Sequence, residues 1–82
     1  MKPFTVVLLD DFPEVRRVSS ISEARELCAK FCRGNPFGRS FICYPDGQWS
    51  RSTTNYLERK IHWEFVVDEL IPSPVRLATV IA

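Results

Sequence analysis

The hydrophobic and polar positions divide the chain into short segments whose periods predict their secondary structure. Phe4 to Leu9 is rich in β-formers and almost continuously apolar, the pattern of a central strand buried on both faces. Asp10-Asp11-Phe12-Pro13 then breaks the run, because Pro13 cannot donate to a ladder and aspartates favour turns. Glu14 to Ser19 reads as a hairpin partner at a sheet edge, where Arg16 and Arg17 discourage further pairing. From Ser20 the period changes. Ile21, Ala24, Leu27, Cys28, Phe31 and Cys32 recur at three- and four-residue spacing and form one apolar helical stripe. Ser20 with Glu23 makes a capping-box start, and Arg33-Gly34-Asn35-Pro36 predicts the stop, with Gly or Asn in a left-handed cap.

Beyond the helix the period returns to two. Arg39–Tyr44 and Trp49–Thr53 flank Asp46-Gly47, which predicts a hairpin with a two-residue loop. That register sets Tyr44 opposite Trp49 and Ile42 opposite Arg51 on one face, with Cys43 opposite Ser50 and Phe41 opposite Ser52 on the other. Ile61, Trp63, Phe65 and Val67 alternate with His62, Glu64 and Val66 as a half-buried strand would. Asn55 with Glu58 caps a single helical turn before it. Pro72 and Pro74 read as breaks, and Val75 to Ala82 is an apolar tail that can add a sixth strand. The expectation is a single α+β domain over residues 1–82. It has an antiparallel sheet of five to six strands in the order β-β-α-β-β-β, with one main helix on one face.

Composition narrows the class without naming the chemistry. The chain has 82 residues, 45% hydrophobic and 12% aromatic, with a net charge of +1, which excludes a multi-domain enzyme and a disordered segment. Val6 to Leu9 is far short of the ~18–20 apolar residues of a spanning helix, and Asp10-Asp11 interrupts any leader-like run. A cytoplasmic protein is therefore expected, its three cysteines reduced. Cys28, Cys32, Cys43 and His62 could form a Cys3His zinc set, but Cys28 and Cys32 lie on a buried helical stripe rather than on a knuckle turn. A Cys43–His62 nucleophile pair lacks an orienting third group, and the three glycines match no phosphate-binding loop. No cofactor, metal or catalytic residue is assigned, and a non-enzymatic role is expected.

Charge and aromatic placement supply the remaining signal. Residues 16–60 carry nine basic and four acidic side chains, net +5, while the rest of the chain is net −4. Such polarity suits a basic contact face. Gly38, Phe41, Ile42 and Tyr44 resemble part of the third-strand signature of RNA-recognition motifs. Arg39 in place of an aromatic and the leading β-β order depart from that pattern, and the family is not assigned.

One helix can cover one sheet face, so Ile42, Tyr44, Trp49 and Val66 are left as a surplus apolar face. Three things can absorb it: the C-terminal run with the Tyr56-Leu57 turn, a second copy of the chain in a homodimer, or another protein. The sequence thus predicts a small protein-binding module or stoichiometric inhibitor. Ile42, Tyr44 and Trp49 would be its anchors, Arg39 and Arg51 its orienting charges, and Asp10 and Asp11 an acidic contact. A phage- or mobile-element-encoded blocker of a larger machine, such as an anti-CRISPR, is one form that size and architecture suggest by analogy. The alternative is a nucleic-acid-binding module using the same face, with Arg39 and Arg51 beside Tyr44 and Trp49 as a stacking platform.

Overall fold

A computed structural model describes residues 3–35, 37–55, 57–58 and 60–81. Pro36, Tyr56, Arg59 and Ala82, which entered the helix stop, the covering turn, the basic segment and the tail, lie outside the described residues. The elements are β1 (Phe4–Leu9), β2 (Pro13–Val18), α1 (Ile21–Gly34), β3 (Arg39–Cys43), β4 (Trp49–Asn55), β5 (Lys60–Val66), a 3-10 turn at Asp68–Leu70, and α2 (Ser73–Ile81). The strands form one sheet in the order β2-β1-β3-β4-β5, every neighbour antiparallel. This is the expected α+β architecture, with a second helix added.

Helix α1 starts as its sequence dictates. The Ser20 hydroxyl accepts a hydrogen bond from the Glu23 backbone N–H at 3.2 Å, which satisfies one of the free donors of the first turn. It ends differently from expectation. Gly34 is helical, and Asn35 leaves the helix at φ −136°, ψ 84°, outside the left-handed region. The Asn35 backbone N–H and its side-chain amide both donate to the Phe31 carbonyl, so no left-handed residue is needed to occupy that acceptor. Gly38 matters for a different reason: a Cβ there would come within 2.5 Å of the Phe31 ring, so a larger residue would have to push that ring aside.

The β3–β4 hairpin overturns the predicted register. Its closing pair is Tyr44 with Gln48, and the Gly47 N–H bonds the Tyr44 carbonyl at 2.9 Å. Pro45 and Asp46 are therefore the centre of a turn, and Gly47 follows at φ +92°. This is a three-residue loop ending in a left-handed glycine, favoured here because Pro45 has the φ required at the first central position. Cys43 now faces Trp49, Ile42 faces Ser50, and Phe41 faces Arg51. The one-residue difference turns all of β3 over relative to β4.

Two cores result, one on each side of the sheet. On the first, α1 lays Ala24 and Cys28 over Val6, Leu8 and Ile42, with Phe4, Val18, Leu27, Phe31, Tyr44 and Trp63 around them. On the second, Ile71 and Val75 pack on Val7, Phe41 and Trp49, with Leu9, Val15, Cys43 and Val66 at the margin. The C-terminal run thus covers the surplus face, as a helix rather than a sixth strand. Pro72 and Pro74 stand at its entrance, where a missing N–H costs nothing, and the Pro72 carbonyl accepts from Val75 and Arg76. Ile71, in extended backbone before α2, and Val75 within it are both buried, while Leu77 and Val80 are exposed.

Candidate functional site

The sequence-predicted contact face does not exist as one surface. Ile42 is fully buried beneath α1, and Trp49 is 6% exposed beneath the C-terminal segment on the opposite side. Both are core residues, and neither can anchor a partner in the folded chain. Tyr44 is half-buried on the α1 side, its ring 5.3 Å from Phe4 and 5.2 Å from Phe65. Arg51 lies on the other side, ion-paired with Glu64 of β5. Arg39 is exposed at the start of β3, opposite Leu9 of β1. The register accounts for one separation: with β3 turned over, Tyr44 parts from Trp49 and Arg51, whereas Arg39, an odd number of residues from Tyr44 on the same strand, lies on the opposite face in any register. The aromatic–arginine stacking platform goes with it.

The cysteine and histidine constellations separate in the same way. Cys28 and Cys32 face the α1 core, while Cys43 lies on the α2 side. His62 shares that second side but aligns with Thr53, whereas Cys43 aligns with Trp49. Four residues of strand separate the two rows, on the order of 13 Å. Among the described residues no three His, Cys, Asp or Glu side chains converge as a metal site.

Cys28 is shielded, and burial pushes its thiol up from 9.0 to about 11, with the Ser40 hydroxyl opposing and Cys32 adding to the rise. Burial is also the main cause that raises Cys43, helped by the Asp68 and Asp46 carboxylates. The folded state keeps the Cys28 proton where the unfolded chain releases it. Its stabilising contribution is therefore complete below pH 9 and is lost as pH rises through about 11. Alkylation followed by mass spectrometry at pH 8 should find Cys28 unmodified until the protein is denatured. Its labelling at the rate of a free thiol would contradict this burial.

What the topology does assemble lies at one end of the sheet. Because the strands are antiparallel, the β1–β2 turn, the α1–β3 connection and the β4–β5 turn all emerge at the end where β1 and β4 finish. Each presents a large apolar side chain to solvent: Phe12 is 82% exposed, Phe37 97% and Leu57 97%. The strand order sets their sequence across this end. Phe12 sits between β2 and β1, Phe37 leads into β3, and Leu57 sits between β4 and β5, so the three follow one another in order across the sheet.

The Asn55 side chain organises the described part of the β4–β5 turn. The Asn55 carboxamide oxygen accepts from the Leu57 and Glu58 backbone N–H groups at 3.1 Å each, as the cap expected at Asn55 implies. Glu58 reaches His62 at 3.3 Å. Asp10 and Asp11 flank Phe12, and Arg39 lies two residues beyond Phe37, so three of the charges singled out in the sequence border this rim. Reading the sequence for sheet faces missed it. The available signal was a large apolar residue inside each of three turn segments, combined with the antiparallel order that puts those turns together.

No protein-family model matches the chain, and neither a curated protein nor a solved structure matches it. Among the described residues no helix is long and apolar enough to cross a membrane.

Proposed function

We propose that this chain is a non-catalytic module that binds another protein through the rim formed by Phe12, Phe37 and Leu57. The observation that carries the reading is the exposure of all three side chains on separate loops at one end of a sheet that carries a core on each face. Single exposed apolar residues are ordinary, but three aligned on adjacent loops form the kind of patch that binding surfaces use. Loops on a rigid scaffold are also where recognition residues concentrate. Asp10 and Asp11 on one flank and Arg39 near the centre supply charges that set orientation and partner choice. A domain of this size acts stoichiometrically, by occupying a surface of a larger protein, which fits an inhibitor or accessory subunit.

The test is capture from the source cell with wild type and with the variant Phe12→Ser/Phe37→Ser/Leu57→Ser. All three side chains are exposed, so the variant should keep the wild-type circular dichroism spectrum and melting temperature. It should lose the captured protein, with affinity reduced about 30-fold or more if one of the three is a hot spot. Retained binding by a folded variant rejects the rim. If the captured species is instead a nucleic acid whose binding falls steeply with salt, phosphate contacts carry the interaction and the protein-binding reading fails.

A further inference from the structure

We infer that a second copy of this chain pairs antiparallel with the free edge of β5, joining two five-stranded sheets into one. This goes beyond the rim reading and does not depend on it. The backbone parity follows from the hairpin: Tyr44 and Gln48 are a hydrogen-bonded pair, so the even-numbered residues of β3 and β4 bond each other. Alternation then turns the odd-numbered residues of β4 toward β5. Their partners in β5 are the even-numbered Lys60, His62, Glu64 and Val66. The N–H and C=O groups of Ile61, Trp63 and Phe65 therefore point away from the sheet along a seven-residue edge. The opposite edge, β2, carries Pro13 and the Glu14–Arg16 ion pair, and α2 packs beside it. Strand β5 has no proline, and its packing side is apolar, with Phe65 63% exposed.

The sequence of β5 is complementary to its own reverse. An antiparallel pair centred on Trp63 overlaps all seven residues and sets each outward N–H against an outward C=O. It places His62 opposite Glu64 of the second copy, and Glu64 opposite the second His62. On the other side Ile61 meets Phe65 and Trp63 meets Trp63, a continuous apolar strip. A slip of two residues one way sets Glu64 against Glu64. A slip the other way pairs Lys60 with Glu64 but sets His62 against His62, shortens the overlap and strands Phe65 at the end. Apolar matching thus chooses the same register as maximal overlap. His62 approaches with Glu58 already at its ring, and Glu64 with Arg51, so each contact joins charges of both signs.

Sedimentation across a concentration series should show the wild-type chain passing from monomer to dimer. Phe65→Pro removes an outward N–H and leaves the ladder to β4 intact, so it should fold and stay monomeric. Ile61→Cys and Phe65→Cys chains test the register directly. Directly opposite residues lie about 5.5 Å apart between Cα atoms, within disulfide reach. Mixed under oxidation, the two variants should form a crossed dimer, while each variant alone should not, since its cysteines would be about 13 Å apart. A wild-type chain that remains monomeric throughout overturns the proposal. So does a dimer undiminished by Phe65→Pro, or cross-linking of either variant alone as readily as of the mixture.

Discussion

Trp49→Ala is expected to cost about 3–5 kcal/mol of folding stability, the range for truncating a large buried aromatic. Trp49 lies beneath the C-terminal segment, packed with Val7, Phe41, Ile71 and Val75, and its removal opens a cavity that a small domain cannot collapse around. A domain of this length has a total stability of roughly 4–12 kcal/mol, so the variant should be largely unfolded near its former melting temperature. Chemical denaturation of the two proteins checks it. A change below 1 kcal/mol would mean that the ring is not held between sheet and helix. Had Trp49 been the surface anchor that the predicted register makes it, the same substitution would have left stability alone and weakened binding. The one variant therefore separates the two arrangements.

Val75→Asp is expected to be comparably damaging, by about 3 kcal/mol or more, because it places an unpaired carboxylate at a fully buried site. The carboxylate can escape to water only if α2 leaves the sheet, which would expose Val7, Phe41 and Trp49 together. The variant should melt earlier, lose near-ultraviolet signal from Trp49, and bind a hydrophobic dye. Val80→Asp, on the exposed side of the same helix, changes helix charge by the same amount and should stay within about 0.5 kcal/mol of wild type. Equal melting temperatures for Val75→Asp and wild type would remove α2 from the second face.

Much of this fold was legible because period and capping agree locally. β1 reads as a central strand from its run of β-formers, α1 from its stripe and Ser20–Glu23 start, and β5 from alternation. Two features escaped, for different physical reasons. Asp46-Gly47 is a strong two-residue turn signal, but Pro45 takes the first central position of a longer loop, and one residue of register reverses a strand's faces. That single step placed Ile42 and Tyr44 on the wrong side, while Trp49, on the right side, is buried by the unforeseen α2. α2 escaped because nine residues rich in Val, Thr and Ile show too little period and too much β preference. A short helix of that kind is stabilised by what it packs against, here Phe41 and Trp49.

The candidate site was legible only in fragments. Asp10, Asp11 and Arg39 were singled out by charge, yet Phe12, Phe37 and Leu57 were passed over because each belongs to a turn and to no amphipathic face. What joins them is topology: the alternating directions of five strands bring three sequence-distant loops to one end. Patterns of local period carry no information about that.

The most direct measurement of the central claim is amide hydrogen exchange on the chain alone and bound to its captured protein. Binding at the rim should slow exchange in the β1–β2 turn around Phe12, in the segment around Phe37, and at Leu57 and Glu58, leaving the α1 and α2 surfaces unchanged. Slowed exchange confined to a helix surface, with the three loops as fast as in the free chain, would contradict it.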